Sequence, residues 1–314
     1  MLPATNFWMC FAGLVYLMAG LLVLRKDISM ARGWDKLVSL GPLFIAVSLA
    51  TFAPEHFHGG PDYIQSMAPS YMPVHWVWPY FIGCALLAAA ISLALRKFER
   101  LACTFLALMF TSFVCLIYLP GVFAHPRSRF AWIFALRDLS FAAGAWALAG
   151  IHHRDSWPRG SKWMIHFGRV AIAVAAIFYG AQHFLHPQFA PGVPLEKITP
   201  SWVPFPSGWA YLAGLVLLAA GISLAVNRQA RMVAASIGGL MTVLTVFLYL
   251  PILILAYRGS TPQFNEEINY VADTLLYAGA ALALAAALPR APDRVKNAEA
   301  VSAEQGARER SPVH

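Results

Sequence analysis

Charge is scarce in this chain: Asp, Glu, Lys and Arg make up 12% of its 314 residues, against about 25% in an ordinary soluble domain. Hydrophobic residues make up 59%, which excludes a water-facing surface of the usual kind. Cysteine is scarce too. Cys10, Cys84, Cys103 and Cys115 all lie inside apolar segments and none forms a Cys-x-x-Cys, so neither a disulfide framework nor a thiol relay is expected. The four read as small buried residues. A phosphate-binding glycine loop, His-Glu-x-x-His, Gly-x-Ser-x-Gly and Cys-x-x-Cys-His are all missing, which leaves nucleotide, metalloprotease, serine hydrolase and attached-haem chemistry without a motif.

Apolar length is what the sequence has in abundance. Runs of about 18 residues or more, enough to cross a bilayer core, recur along it. The chain reads as an all-α, polytopic membrane protein with about nine transmembrane helices. The first is roughly Phe7 to Leu24. Four more follow at about Leu37 to Phe57, Trp76 to Leu95, Leu101 to Leu119 and Ala131 to Ile151. The last four are Trp163 to Leu185, Gly208 to Val226, Met232 to Tyr257 and Ile268 to Leu288. A net charge of +8 does not point to nucleic acid, because Lys and Arg sit in short clusters between the apolar runs.

Those clusters set the expected orientation. Seventeen of the 23 Lys and Arg fall in the loops after the first, third, fifth and seventh spans and in the tail, all on one side of a nine-span count. Arg127, Arg129, Lys197 and Arg258 occupy loops on the other side. Positive residues stay inside, so the N-terminus is expected outside and the C-terminus inside. No positive residue precedes the first run and no small-residue cleavage site follows it, so it reads as a retained helix and not a signal peptide.

One stretch occurs twice. Pro69-Ser70-Tyr71-Met72-Pro73, with Trp78, Tyr80 and Gly83 after it, returns 131 positions later as Pro200-Ser201-Trp202-Val203-Pro204, Trp209, Tyr211 and Gly214. The match runs ungapped to Tyr118-Leu119-Pro120 against Tyr249-Leu250-Pro251, and 19 of the 52 aligned residues are identical. Beyond it, Glu55-His56-Phe57 lines up with Gln182-His183-Phe184, and Asp138 and Gly144 with Asp273 and Gly279. The expected organisation is therefore a tandem duplication. Residues 1–36 form an N-terminal helix and basic loop, 37–160 and 161–289 two four-helix units, and 290–314 a disordered tail rich in Ala, Glu, Arg, Ser and Pro. An even number of spans per unit inserts both the same way up, about a pseudo-two-fold axis along the membrane normal.

Polar residues kept in both units are the candidate site. His56 and His183 end the first helix of each unit, beside Glu55 and Gln182, with His186 following in the second. They read either as caps that bind loop carbonyls or as proton-exchanging, quinone-binding groups. Asp138 and Asp273 lie about two turns into the last helix of each unit and need a partner, for which the first-helix histidine is a candidate. Arg137 precedes Asp138, but consecutive helical residues do not face each other, so simple neutralisation is not expected. Glu266, Asn269 and Asp273 recur at helical steps and are expected on one inward face. Trp78, Tyr80, Trp209 and Tyr211 read as an interfacial belt, or as walls for a flat ligand. His56, His58, His75, His183 and His186 share no ligand spacing between the units, so no metal ligand is assigned.

The His-Phe ending the first helix, the Pro-Ser-Trp-Val-Pro of residues 200–204, the Trp209-Ala-Tyr-Leu-Ala-Gly214 after it and the apolar block with its basic turn resemble the DoxX-like family of small bacterial membrane proteins. The resemblance covers both units and implies a four-helix bundle. Some members of that family are linked to membrane redox processes, including thiosulfate to quinone oxidoreduction, but no catalytic motif of that enzyme is matched here. The function read from these features is a quinone-linked redox step at the outer leaflet. His56 and His183 would act on the quinone, Asp138 and Asp273 would orient them, and the four aromatics would shape the site. Expected partners are the lipid bilayer, a quinone or other lipid-like ligand and a membrane redox protein. The alternatives are a transporter with its site between the units, or a non-catalytic scaffold.

Overall fold

The computed structural model describes residues 4–59, 73–257 and 260–290. Pro69 to Met72, Arg258 and the tail from residue 291 lie outside them. Among the described residues, nine helices are long and apolar enough to cross a membrane. They are α1 (Ala4–Met30), α2 (Trp34–Phe57), α3 (Val77–Leu95), α4 (Glu99–Ala124), α5 (Arg129–His152), α6 (Pro158–Leu185), α7 (Pro206–Ala225), α8 (Ala230–Ala256) and α9 (Pro262–Ala287). The described residues contain no strand, only an isolated bridge between Phe189 and Ile198.

Local chemistry marks many of the ends. Proline occupies the first turn of α6, α7 and α9, where a missing N–H costs nothing. Ser128 Oγ accepts the Ala131 N–H at 3.4 Å to start α5. The turn from α3 to α4 uses left-handed Arg96 and Phe98, and the turn from α7 to α8 uses left-handed Asn227 and Gln229, each 131 residues on. Inside α4 and α8, a π-helical turn precedes a proline, at Val114–Tyr118 and at Thr245–Tyr249. Pro120 and Pro251 clash with the carbonyl four residues back, and the wider turn makes room for the ring.

Burial sorts the helices into an inner and an outer set. Within the membrane-length windows, 83% of α5 and of α9 is buried, against 28% of α4 and 22% of α1. The inner row is α2, α9, α5 and α6, each packed on the next. α3 and α4 flank one side of this row as α7 and α8 flank the other, and α1 lies across α2 and α3. The two halves are thus not separate bodies, since the first helix of each lies on the last helix of the other.

The α5–α9 seam runs parallel and in register: Arg137 meets Asp273, and seven residues on Gly144 meets Ala280. Both halves therefore stand the same way up. Between lipid-bathed helices apolar burial gives little drive, so association relies on close approach of small residues. Ala142 to Ala149 on α5 and Ala278 to Ala285 on α9 supply them, nearly all fully buried. A Cβ on Gly144 would sit 2.5 Å from the Ala280 Cα, closer than any real contact.

Candidate functional site

The two histidines sit at matching corners. His183 Nδ1 lies 2.6 Å from the Tyr179 carbonyl, one turn back, and Nε2 accepts the Gly192 N–H at 3.0 Å. A carbonyl only accepts and an N–H only donates, which fixes the neutral imidazole with its proton on Nδ1. The ring is fully buried, packed where Gly214 lets α7 approach. His56 Nδ1 repeats the first of these bonds to Phe52 O at 3.0 Å, and Gly83 receives it as Gly214 receives His183. Of the two readings of His183, the geometry supports the cap to a loop.

The carboxylates find a different partner from the one expected. Asp138 and Asp273 do not orient the histidines; both bind Arg137. Its Nη2 donates to Asp138 Oδ2 at 3.0 Å and its Nη1 to Asp273 Oδ2 at 3.0 Å. Nη2 also reaches the Tyr118 hydroxyl at 3.3 Å, and the guanidinium lies 5.0 Å from the Phe134 ring centroid. The expectation that Arg137 and Asp138 would not pair is corrected here. Consecutive Cβ atoms diverge by about 100°, but the arginine stem is long enough to fold its head back over its neighbour while one arm crosses the seam. Two buried carboxylates thus share one guanidinium, and Tyr179 and Tyr277 pack edge to face close by at 6.2 Å.

The remaining polar groups of α9 take separate partners. Glu55, on a π turn of α2, accepts from Asn265 Nδ2 at 2.9 Å and Asn269 Nδ2 at 3.4 Å. Glu266 accepts the Tyr270 hydroxyl at 3.0 Å, and Lys197 pairs with buried Glu267. Glu266 is exposed, Asn269 half-buried and Asp273 buried, so the stripe they form runs from the surface inward and Glu266 does not point into the protein.

The loop between α6 and α7 folds down into the protein. Val193 and Leu195 are fully buried, and their carbonyls accept Thr274 Oγ1 at 3.0 Å and Arg129 Nη1 at 2.9 Å. With Gly192 held by His183, three backbone groups within residues 192–195 are satisfied by side chains, which irregular chain at membrane depth requires. Glu196 follows, its carboxyl raised above the usual range by burial in spite of Arg137 and Arg129. Sequence reasoning missed this plug and the tyrosines around the charged centre. The repeated Tyr118 and Tyr249 were the available signal, each closing a π turn.

The aromatics face outward. Trp209 is half exposed with its indole N–H donated to Pro204 O at 3.0 Å, and Trp78 does the same to Pro73 O at 2.9 Å. Tyr211 stacks on Phe184 at 5.8 Å, and Tyr80 lies 6.4 Å from Phe57. His186 packs edge-on against Phe189, and Gln182 is half-buried on α6. The large cavity is elsewhere, about 1330 Å³ at the basic end, lined in part by Arg32, Arg154 and Lys162. The packed α5–α9 seam separates it from Arg137.

Residues 164–250 match the DoxX family model. That segment is similar to the DoxX family, and it lies in a chain with membrane-length helices. The match runs through α6, α7 and α8, taking in His183, Trp209, Tyr211 and Tyr249, and stops short of Asp273. Neither a curated protein nor a solved structure matches the chain.

Proposed function

We propose that this DoxX-like protein takes part in a quinone-linked redox step in a bacterial inner membrane, and that the Asp138–Arg137–Asp273 centre handles a proton of that step. The observation carrying the proposal is the ratio of two buried carboxylates to one half-buried guanidinium. With one proton the centre is neutral; without it, a net negative charge is buried at high cost. Such a centre stores one proton and surrenders it when charge nearby changes. Quinone reduction makes that demand, consuming two electrons from a membrane redox partner and two protons.

In this reading a quinone enters from lipid along the Phe184, Trp209 and Tyr211 surface, and His183 serves by fixing the plug above the centre. The ungapped 52-residue likeness of the halves at an offset of 131 supports duplication of one unit. The basic clusters support an N-terminus outside and a C-terminus inside, which thiol labelling of Lys162→Cys from the cytoplasmic side alone would verify. The cavity at the basic end favours a second reading, solute transport between the halves, although the packed seam would have to part for it.

Purified protein in nanodiscs, titrated with a short-chain ubiquinone analogue, is expected to show saturable quenching of tryptophan fluorescence. Protein-dependent reduction of that quinone by reduced methyl viologen is expected to fall about 10²-fold or more in Asp273→Asn, the size of a lost proton-transfer group. Absence of saturable binding, or unchanged reduction in the variant, overturns the proposal. Solute flux into vesicles would move the case to the second reading.

A further inference from the structure

The basic-end cavity is unused by the proposed function, and its chemistry is particular. We infer that it is a binding site for an anionic phospholipid, with the phosphate at its basic rim and acyl chain against its apolar wall. Three observations carry this. The volume, about 1330 Å³, exceeds the roughly 300–1,000 Å³ of pockets for small soluble ligands. The wall is apolar, built from Leu24, Leu43, Leu93, Leu148 and Ile165, and lies beside lipid-facing α1. The rim carries seven Lys and Arg against three Asp and Glu, an excess of positive charge at the level where headgroups lie.

The arginines of this rim are held in place by backbone. Arg154 Nη2 donates to Ala287 O and Arg231 Nη1 to Ala285 O, both at 2.6 Å, at the C-terminal end of α9. Arg169 donates to the last carbonyls of α7. A guanidinium has five N–H donors in a rigid fork, so a head anchored through one arm still presents others to a phosphate. Arg32 and Lys162 are exposed and form no ion pair among the described residues, so their charge is available to a ligand. Basic hollows between membrane helices at the headgroup plane hold anionic lipid in this way. A soluble phosphate would use the rim and leave the apolar wall uncovered.

Native mass spectrometry of the full chain, released from nanodiscs of equal phosphatidylglycerol and phosphatidylcholine, tests the inference. Retained phosphatidylglycerol is expected to exceed phosphatidylcholine, and Arg32→Gln with Lys162→Gln is expected to reduce that retention about 10-fold or more. Lys97→Gln with Arg100→Gln removes the same charge on the same side but off the cavity wall, and is expected to retain the lipid. All four residues are exposed, so folding should survive, and circular dichroism checks it. Equal retention of the two lipids, equal loss in both double variants, or displacement of the lipid by millimolar inorganic phosphate would each overturn the assignment.

Discussion

Arg137 Nη1 stands 3.0 Å from Asp273 Oδ2, joining positions 136 residues apart across the α5–α9 seam. The contact ties the last helices of the two halves together at the level of the plug. Removing its cation should therefore be worse than removing one anion. Arg137→Gln leaves two buried carboxylates facing each other and is expected to cost about 3–5 kcal/mol. Asp273→Asn leaves a neutral Arg137–Asp138 pair and should cost far less. Thermal unfolding in detergent reads the order; equal losses would show that the pair across the seam carries no special weight.

His183 accepts from Gly192 and donates to Tyr179, so its proton position is dictated by neighbours. Imidazole ¹⁵N shifts are expected to place the hydrogen on Nδ1. His183→Phe keeps the volume but strands the Gly192 N–H, at a cost of about 1–3 kcal/mol. Hydrogen exchange should localise the loss to residues 186–205.

At Gly144 a side chain meets the backbone of α9 at 2.5 Å, whereas at Gly121 nothing lies within 4 Å. Gly144→Leu is expected to force the seam apart and cost about 3 kcal/mol or more. Gly121→Ala should be neutral or slightly stabilising, since alanine suits a helix better than glycine by about 0.5–1 kcal/mol. A pair of melting curves decides it.

Glu196 links the plug to pH. Burial, opposed by Arg137 and Arg129 and reinforced by Glu266, raises its folded-state value above the unfolded one of about 4.3. A raised acid holds its proton more tightly when folded. Its contribution is therefore complete below the unfolded value and is lost as pH rises through the folded one. Exchange protection at residues 190–198 is expected to decline over that window, and Glu196→Gln should flatten the profile.

Much of the fold was legible in the chain. Apolar length fixes the number of spans, and charge clusters fix the turns, because both are local properties. The start of α9 was read at Ile268 and lies at Pro262, since Glu266 and Glu267 look like loop until Tyr270 and Lys197 are seen to satisfy them. Asp138 and Asp273 were recognisable as buried groups in need of a partner. Their shared arginine was not, because helical spacing describes neighbours on one cylinder and says nothing of an arm that crosses to another. The packing of α2 on α9 and of α5 on α6 is hidden for the same reason. Nor does composition mark the plug, whose burial depends on His183, Thr274 and Arg129, drawn from three helices.

The counterpart of Arg137 in the second half is Ala272. A twofold assembly of identical chains obeys a parity rule, since every ionised group at its axis comes with a mate. In the proposed duplication, joining the halves in one polypeptide lifts that rule. The axis can then hold three charges where an identical pair must hold two or four, and an odd count is what leaves room for a single hydrogen ion.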